Sequence, residues 1–599
     1  RPPLFKSIGD WFDNRTGYRA LVHEALEEPI PGGARWRYVF GSALTTVFMF
    51  QVVTGLLLMT SYSPSSSTAW GSVYYISYEM WMGWIVRGIH HFSAQAMIIL
   101  LALHLLQVLW AGAYRAPREF NWWFGMVLLG LTLGFSLTGY LLPWDQKGFW
   151  ATKVATNIMG GAPVLGPYIQ KIVVGGADYG NQTVTRFYGL HVGILPALFV
   201  LALVVHIMLF RRHGVTPPAD HEKHPTGSFW PQQVFYDVAF SAGVLLIVLG
   251  LVWWEGGANL DAPADPSSSD YPARPEWYFL SLFQMLKLFP GKQEMIGTIV
   301  IPSAIGFVLM ILPLLDWIFP RKLAHFFATG FVFALVGAAG FLTVEAFRAD
   351  ARDQQFQESR AKADVARQRA IFLASNPRGG IPPEGSRFVL RTDPLTQGRA
   401  ALDKKCLGCH VFDGKGMGEQ TASDLKDFGS KSWILGLLQK PDDPRYFGKV
   451  AQATGMKEWK QSSKLTPKQL EDVADFVASF AKIAGDTTPE EWLNQPGVTD
   501  HPGVAPFQKE CGKCHAIEGL PEAEGGERES PKLYAWGSPK WIERMIRKPG
   551  AGDLYGFLEA KDQMPAFGHE QLTQPDIEMI VRYLRNEYLP PEAPKVGGH

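Results

Sequence analysis

The run RGIHHFSAQAMIILLALHLLQ (Arg87–Gln107) is apolar enough to lie within a bilayer, yet it carries three histidines. An ionisable side chain at membrane depth is costly and by default marks a function. A helix turns once every 3.6 residues, so His90 and His104, 14 positions apart (104 − 90), project from nearly one face. His91 lies 13 positions from His104 and lands about 140° away. At 1.5 Å per residue the His90/His104 pair is separated by roughly 21 Å along the axis. Ligands so far apart cannot share one metal; they suit two centres, one near each membrane surface. A matching run, RFYGLHVGILPALFVLALVVHIMLFRR (Arg186–Arg212), holds His191 and His206, 15 positions apart. These are about 60° off a common face, and Pro196 between them offers a kink that absorbs part of the offset. Each helix then gives one ligand to each of two bis-histidine haems, His90 with His191 and His104 with His206.

The rest of the chain must accommodate this membrane core. Its 599 residues exceed a single domain, and 56 Lys+Arg against 56 Asp+Glu leave a net charge of +0, which argues against nucleic-acid binding by charge. Abundant Trp (20) and Phe (38) fit membrane-interface aromatics. A mean hydropathy of +0.00 conceals an apolar part up to about Phe347 and a charged, soluble remainder. No removable signal peptide is apparent, although the sequence starts at Arg rather than Met.

Apolar stretches of spanning length occur at about 38–60, 84–110, 122–143, 188–210, 234–254, 296–319 and 323–347. Arg15, Arg19, Arg35 and Arg37 precede the first; Arg115 and Arg118 follow the second; Arg211, Arg212 and Lys223 follow the fourth; Arg321 and Lys322 join the last two. The positive-inside rule puts these loops in the cytoplasm. Seven crossings then leave the C-terminal part on the extracytoplasmic side of a bacterial inner membrane.

All 4 cysteines lie in CLGCH (Cys406, Cys409, His410) and CGKCH (Cys511, Cys514, His515). CxxCH is the attachment signature of c-type haem, with two thioethers and a proximal histidine; none remains for a disulfide or an iron–sulfur cluster. Covalent haem attachment belongs to the extracytoplasmic side, which agrees with the charge rule. The motifs sit in a repeat: SKSWILGLLQKPDDPRYFG (Ser430–Gly448) echoes SPKWIERMIRKPGAGDLYG (Ser538–Gly556) at a period of 108 (538 − 430). Met456 and Met564 are also 108 apart (564 − 456), on one register of this repeat, and are the expected distal ligands, in sequence order, of the first and second c haems; Met417 competes for the first. The expected fold is all-α: a seven-helix transmembrane haem-binding bundle (1–347), a charged helix and Pro/Gly linker (348–393), and two small α-helical cytochrome c domains (394–485 and 500–590). The linker reads as an exposed tether without chemistry of its own.

RGIHHFSAQ, LTGYLLPWDQKGFWA (Leu137–Ala151), TRFYGLH (Thr185–His191) and RPEWYFL (Arg274–Leu280) resemble cytochrome b of the quinol–cytochrome c reductase (cytochrome bc complex) family, here fused to a C-terminal di-haem cytochrome c. The 15-position histidine spacing is similar to the chloroplast and cyanobacterial branch. Unlike that branch the chain is continuous from its fourth to its fifth span, and Val39 stands where the branch has a lone cysteine for an extra haem. Gly41/Gly55 and Gly125/Gly139, each 14 apart, look like the walls where haem planes fit, although membrane glycines also serve helix packing.

The resemblance implies bifurcated quinol oxidation between the PWDQ loop and PEWY (Pro275, Glu276, Trp277, Tyr278). Glu276 accepts a proton, its pKa raised by partial burial, and Tyr278 shapes the pocket. It also implies two haem b and two haem c, a quinol/quinone substrate, proton translocation and a homodimeric complex in membrane lipid. A cytochrome or oxidase serves as acceptor. Since no cysteine is free, the Rieske cluster resides on a separate subunit. Arg87 and Arg186 are haem-propionate candidates or interface anchors, and the His213/His221/His224 loop is a proton feed to an inner quinone site or simply solvated. The rival expectation is a haem-carrying anchor that wires another dehydrogenase to outside acceptors and lacks an outer quinol site.

Overall fold

Periodic apolar runs in a bilayer must satisfy every backbone polar group internally, so they fold as helices. The computed structural model describes residues 4–218, 220–268, 271–448, 454–520 and 530–590. Stretches 449–453 and 521–529 of the two expected cytochrome c domains lie outside the described residues. The chain forms two compact units, one ending at Arg387 and one beginning at Phe388.

The first unit holds seven helices long and apolar enough to cross a membrane: α1 (Trp36–Met59), α2 (Gly83–Trp110), α3 (Glu119–Leu141), α4 (Asn181–His213), α5 (Phe229–Glu255), α6 (Ile296–Ile318) and α7 (Arg321–Arg352). α1 packs on α2, α3 on α4, and α5 on both α1 and α2. Ala43, Val47, Phe48, Met97, Leu100, Leu128, Phe199 and Ala202 fill the middle of the bundle, between the two levels at which histidines point inward. Between α3 and α4 lie two surface helices, Gln146–Gly160 and Gly166–Val174. The PEWY segment opens into the short helix Leu280–Leu286, which packs on α7.

α4 differs from expectation in an informative way. A π-helical turn, Gly189–Ile194, contains His191 and ends two residues before Pro196. A π turn takes one extra residue, so the 15-position spacing of His191 and His206 behaves as a spacing of 14. Pro196 has no N–H to give to the preceding turn, which makes the wider turn cheap there. The offset is thus absorbed by an inserted residue and not by a proline kink.

The linker is also more than an exposed tether. α7 continues to Arg352, and α8 (Gln354–Ser375) buries Arg369, Ala370 and Leu373 on one side. Apart from Arg369, most of its charges stay exposed, which is why the alternation read as solvated. Gly385, at φ +115°, sits against the Ser67 backbone; a Cβ there would lie 3.0 Å from Ser67 O.

In the second unit, α9 (Pro394–Lys405) leads into Cys406 and α12 (Val504–Glu510) into Cys511. Its other main helices are α10 (Lys431–Gln439), α11 (Pro467–Phe480), α13 (Pro539–Arg547) and α14 (Gln574–Leu584), with shorter ones at Phe388–Arg391, Thr454–Ser462 (which contains Met456) and Pro489–Leu493. Each of α10, α11, α13 and α14 starts at a Ser or Thr whose hydroxyl accepts a backbone N–H, the capping expected of SxxW and TPxQ-type starts. One hydrophobic core, with Trp433, Phe476, Phe480, Phe507, Trp541 and Ile580 among its members, runs through both repeats.

Candidate functional site

Four histidines point into the helical bundle at two levels, and a glycine faces each. A Cβ on Gly55 would lie 3.3 Å from His90 Cε1, and one on Gly139 2.5 Å from His191 Cε1. At the other level Gly41 would meet His104 Cε1 and Gly125 His206 Cε1, each at 3.5 Å. The glycines of α1 thus serve α2 histidines and those of α3 serve α4 histidines, because only a residue without Cβ lets a ring lie this close to the neighbouring backbone. The His90 and His191 ring centroids are 6.3 Å apart with planes at 73°. That leaves room between the ring nitrogens for one metal atom bonded at roughly 2 Å on either side.

Hydrogen bonding fixes which nitrogen is available. His90 Nδ1 meets Thr54 Oγ1 at 3.0 Å, His191 Nδ1 meets Thr138 Oγ1 at 3.1 Å, and His206 Nδ1 meets the Asn121 carbonyl at 3.0 Å. With Nδ1 engaged, Nε2 is the nitrogen left for a metal, the usual arrangement for a ligating imidazole. His104 Nδ1 is buried without such a partner. The same device recurs in the second unit, where His410 Nδ1 meets Ser423 O at 2.8 Å and His515 Nδ1 meets Pro531 O at 3.0 Å. These residues fit haem: opposed imidazoles cradled by glycine in the bundle, and CxxCH turns with an oriented histidine beyond it. Met456 and Met564 are part-buried against the core of the second unit, whereas Met417 is 69% exposed.

At the level of His90 the PEWY segment meets the PWDQ loop. Lys147 Nζ donates to Glu276 Oε1 at 2.8 Å. Burial pushes the Glu276 carboxyl up, but the Lys147 ammonium, together with His91 and Tyr140, holds the group below its ordinary value. This reverses the expected direction, since burial alone raises a carboxylate's pKa and an adjacent cation lowers it. Trp277 Nε1 donates to Gln95 Oε1 at 3.2 Å, and Gln95 Nε2 lies 2.8 Å from His91 Nε2, which ties the motif to α2 and gives the third histidine a role. Tyr278 packs edge-on against Trp277, and burial raises its phenol.

Sequence reasoning passed over several groups here. Asp145 of PWDQ accepts from Gly148 N at 2.8 Å and Asp261 N at 3.2 Å. Burial, followed by the nearby Asp261 carboxylate, pushes it up to about 6. Arg274, just before PEWY, grips Asp350 of α7 through Nε at 2.9 Å and Nη2 at 2.8 Å. At the level of His104 a cavity of about 240 Å³ is lined by Ser42, Thr46, Asp237, Val238 and Ser241. There Asp237 Oδ2 accepts from Ser42 at 2.9 Å and Oδ1 from Gln233 Nε2 at 3.0 Å. A carboxylate inside an apolar run was the signal that could have found Asp237.

Other expected residues are engaged elsewhere. Arg87 donates to Ser77 Oγ at 3.1 Å and to the Ala258 and Asn259 carbonyls at 2.5 and 2.8 Å, and Arg186 to the Ile172 carbonyl. His221 Nδ1 lies 2.8 Å from Pro218 O, and His224 pairs with Asp220 at 3.5 Å.

Comparison with known proteins agrees with this architecture. Residues 95–262 match the family model "Cytochrome b(N-terminal)/b6/petB" and 263–349 match "Cytochrome b(C-terminal)/b6/petD". Residues 395–481 match "Cytochrome c", and 499–584 match "Cytochrome C oxidase, cbb3-type, subunit III". Cytochrome b6 of Stigeoclonium helveticum is 37% identical over 211 residues, which are 35% of this chain and 98% of that protein. Cytochrome b6 of Gracilaria tenuistipitata var. liui is 36% identical over an equal length, again 35% of this chain and 98% of that protein. A solved structure titled "Hyperthermophilic respiratory Complex III" superposes with a TM-score of 0.51 at 26% identity, covering 61% of this chain and 97% of the other. Histidine pairs, PEWY loop and CxxCH repeats on one polypeptide therefore have a common explanation: the chain belongs to the cytochrome b/b6 family and carries cytochrome c domains at its C-terminal end.

Proposed function

We propose that this multi-pass membrane oxidoreductase of the cytochrome bc type is the cytochrome b and c subunit of a proton-translocating quinol–cytochrome c reductase. The observation that carries the reading is the meeting of Glu276 and Lys147 at 2.8 Å close to His91, the residue that follows His90 on α2. A mere electron wire needs neither group, which disfavours the anchor alternative.

His90/His191 would hold the outer b haem and His104/His206 the inner one, with CxxCH at 406–410 and 511–515 holding two c haems. When bound, these haems supply one-electron transfer between the two membrane surfaces and out to the acceptor. The chain's own residues do the rest. Glu276 Oε1, kept ionised by Lys147, receives a quinol hydroxyl proton once substrate displaces the ammonium. Trp277 and Tyr278 wall the pocket, and Gln95 fixes the Trp277 indole. Asp145, pushed up to about 6 by burial, caps the helix that carries Lys147 and is suited to pass that proton outward. At the other surface Asp237 and Ser42, lining the 240 Å³ cavity, bind a quinone carbonyl and deliver a proton to it. Of the two quinol electrons, one would leave through a separate Rieske subunit toward the c haems and the other would cross the membrane by way of the two histidine pairs. In this scheme the c segments face the extracytoplasmic side of a bacterial membrane, in a homodimeric complex.

The test is inhibitor-sensitive, quinol-dependent cytochrome reduction by the purified complex. Glu276→Gln should slow it by about 10²–10⁴-fold, the usual contribution of a positioned base, with every haem spectrum unchanged. Wild-type turnover in that variant removes Glu276, and with it the proposed outer site.

A further inference from the structure

In the two cytochrome c repeats, the helix leading into each CxxCH motif does not pair with the last helix of its own repeat. α9, which leads into Cys406, packs on α14, the last helix of the second repeat. α12, which leads into Cys511, packs on α11, the last helix of the first. The two crossings are equivalent residue for residue. Gly398 and Gly503 each stand eight positions before a haem cysteine (406 − 398; 511 − 503). A Cβ on Gly398 would lie 2.3 Å from Met579 O and 2.6 Å from Tyr583 Cβ; one on Gly503 would lie 2.2 Å from Asp472 O and 2.8 Å from Phe476 Cβ. Met579 and Asp472 are each six positions past the capping threonine of their helix, Thr573 and Thr466 (579 − 573; 472 − 466). Only glycine permits backbone contact of this closeness, so each crossing has one register.

Contacts around the crossings follow the same exchange. Arg399 Nη1 donates to Tyr583 Oη at 3.4 Å, and Phe412, two residues past His410, lies 5.3 Å from the Tyr583 ring. In the mirror crossing Phe507 lies 5.7 Å from Phe476. A pseudo-twofold axis relates the repeats: Phe428 meets its equivalent Trp536 at 4.8 Å, and the cross pairs Phe428–Trp541 and Trp433–Trp536 are 6.2 and 6.0 Å apart. Gly429 and Gly537, 108 positions apart (537 − 429), approach near that axis: a Cβ on Gly537 would lie 3.8 Å from Gly429 Cα. Arg585 staples it, donating to Ala481 O at 2.7 Å and Gly537 O at 2.9 Å.

We propose that the two c-haem pockets are helix-exchanged, so that Met564 caps the haem held by Cys406, Cys409 and His410, and Met456 caps the haem held by Cys511, Cys514 and His515. The inference rests on the reading of both CxxCH motifs as haem sites and reverses the sequence-order pairing of their distal ligands. The methionine travels with the helix it introduces. Met564 stands nine positions before Thr573 (573 − 564). Its loop is tied to α13, with Phe567 N bonded to Ile546 O at 3.0 Å and Arg547 bonded to Leu572 O at 2.9 Å. α13 packs on α14, and α14 carries the wall against which α9 and its haem cysteines close.

The test uses the full-length protein with its haems, whose covalent haem count is read first. A count of two in the wild type supports the sites; a lower count overturns the haem reading and the pairing with it. His410→Met then gives the first haem two thioether ligands and raises its potential. Adding Met564→His should restore a mixed His/Met haem, with its wild-type potential and near-red sulfur-to-iron band, while adding Met456→His should not. Rescue by Met456→His and not by Met564→His overturns the pairing while leaving the haem sites standing. Should His410→Met abolish assembly, a side-chain-resolution map of the wild-type complex gives the same answer. The Met564 sulfur over the haem on Cys406 supports the exchange, and the Met456 sulfur there overturns it.

Discussion

Asp350→Asn should impair quinol oxidation although Asp350 lies in the last turn of α7, outside the PEWY segment itself. Its carboxylate receives three contacts from Arg274, at 2.8, 2.9 and 3.1 Å, and the next residue, Pro275, begins the PEWY motif. The guanidinium is also sandwiched, 4.2 Å from the Phe356 ring and 5.0 Å from that of Phe283. Side-chain exposures of 24% and 15% place the pair between two limits. An exposed ion pair contributes about 0–1 kcal/mol, and breaking a buried one costs about 3–5 kcal/mol. A bidentate, half-buried pair therefore contributes about 2 kcal/mol, or roughly 30-fold in how well the loop is held. Not all of this reaches the reacting atoms, so we expect about a 10-fold fall in kcat/KM for quinol, in line with the sensitivity of catalysis to misplacements of about 1 Å. Arg274→Lys should behave alike, because an ammonium cannot reproduce the fork. The assay is inhibitor-sensitive cytochrome reduction at varied quinol, with hydrogen exchange followed across residues 276–280. Haem spectra should not change. A rate within twofold of wild type and unaltered exchange would falsify the clamp.

Further outcomes follow from the same geometry. Lys147→Met removes the charge that holds Glu276 low, so burial prevails and the carboxyl rises; the base form is then lost at higher pH, and the acid limb of the rate–pH profile should move upward. A limb that stays put, or moves down, rules out Lys147 as the controlling charge. Gly139→Val would drive a side chain into His191 and should abolish the outer b haem while sparing both c haems, as read by redox-resolved optical spectra; retention of both b haems contradicts the glycine cradle. Pyridine haemochromes with intact mass should give two b-type and two covalent c-type haems, and a third covalent haem would mean that Val39 is not the decisive departure.

Local sequence carried much of this protein. Span length, the 14-position histidine spacing and the CxxCH turns each depend on helical pitch and ligand chemistry within one segment, so the seven membrane helices, their inward histidines and the c-haem motifs were legible in order. The fourth span shows where such reading stops: a spacing of 15 announces an offset, but whether a kink or an inserted residue absorbs it depends on how α4 meets α3, and the π turn at His191 settled it. Glu276 shows the same limit for charge. Its burial could be guessed from an apolar context, but Lys147 stands 129 positions away, and that distant ammonium, with His91 and Tyr140, reverses the direction of the shift. Asp350 looked like one more charge on a solvated helix until the fold set it against Arg274. The c repeats are the clearest case. Two copies of one pattern encode their helices twice over, yet like helices offer like faces, so the sequence cannot state which copy pairs with which. Chain connection and close packing choose between those near-equal pairings, and here they cross the repeats at Gly398 and Gly503.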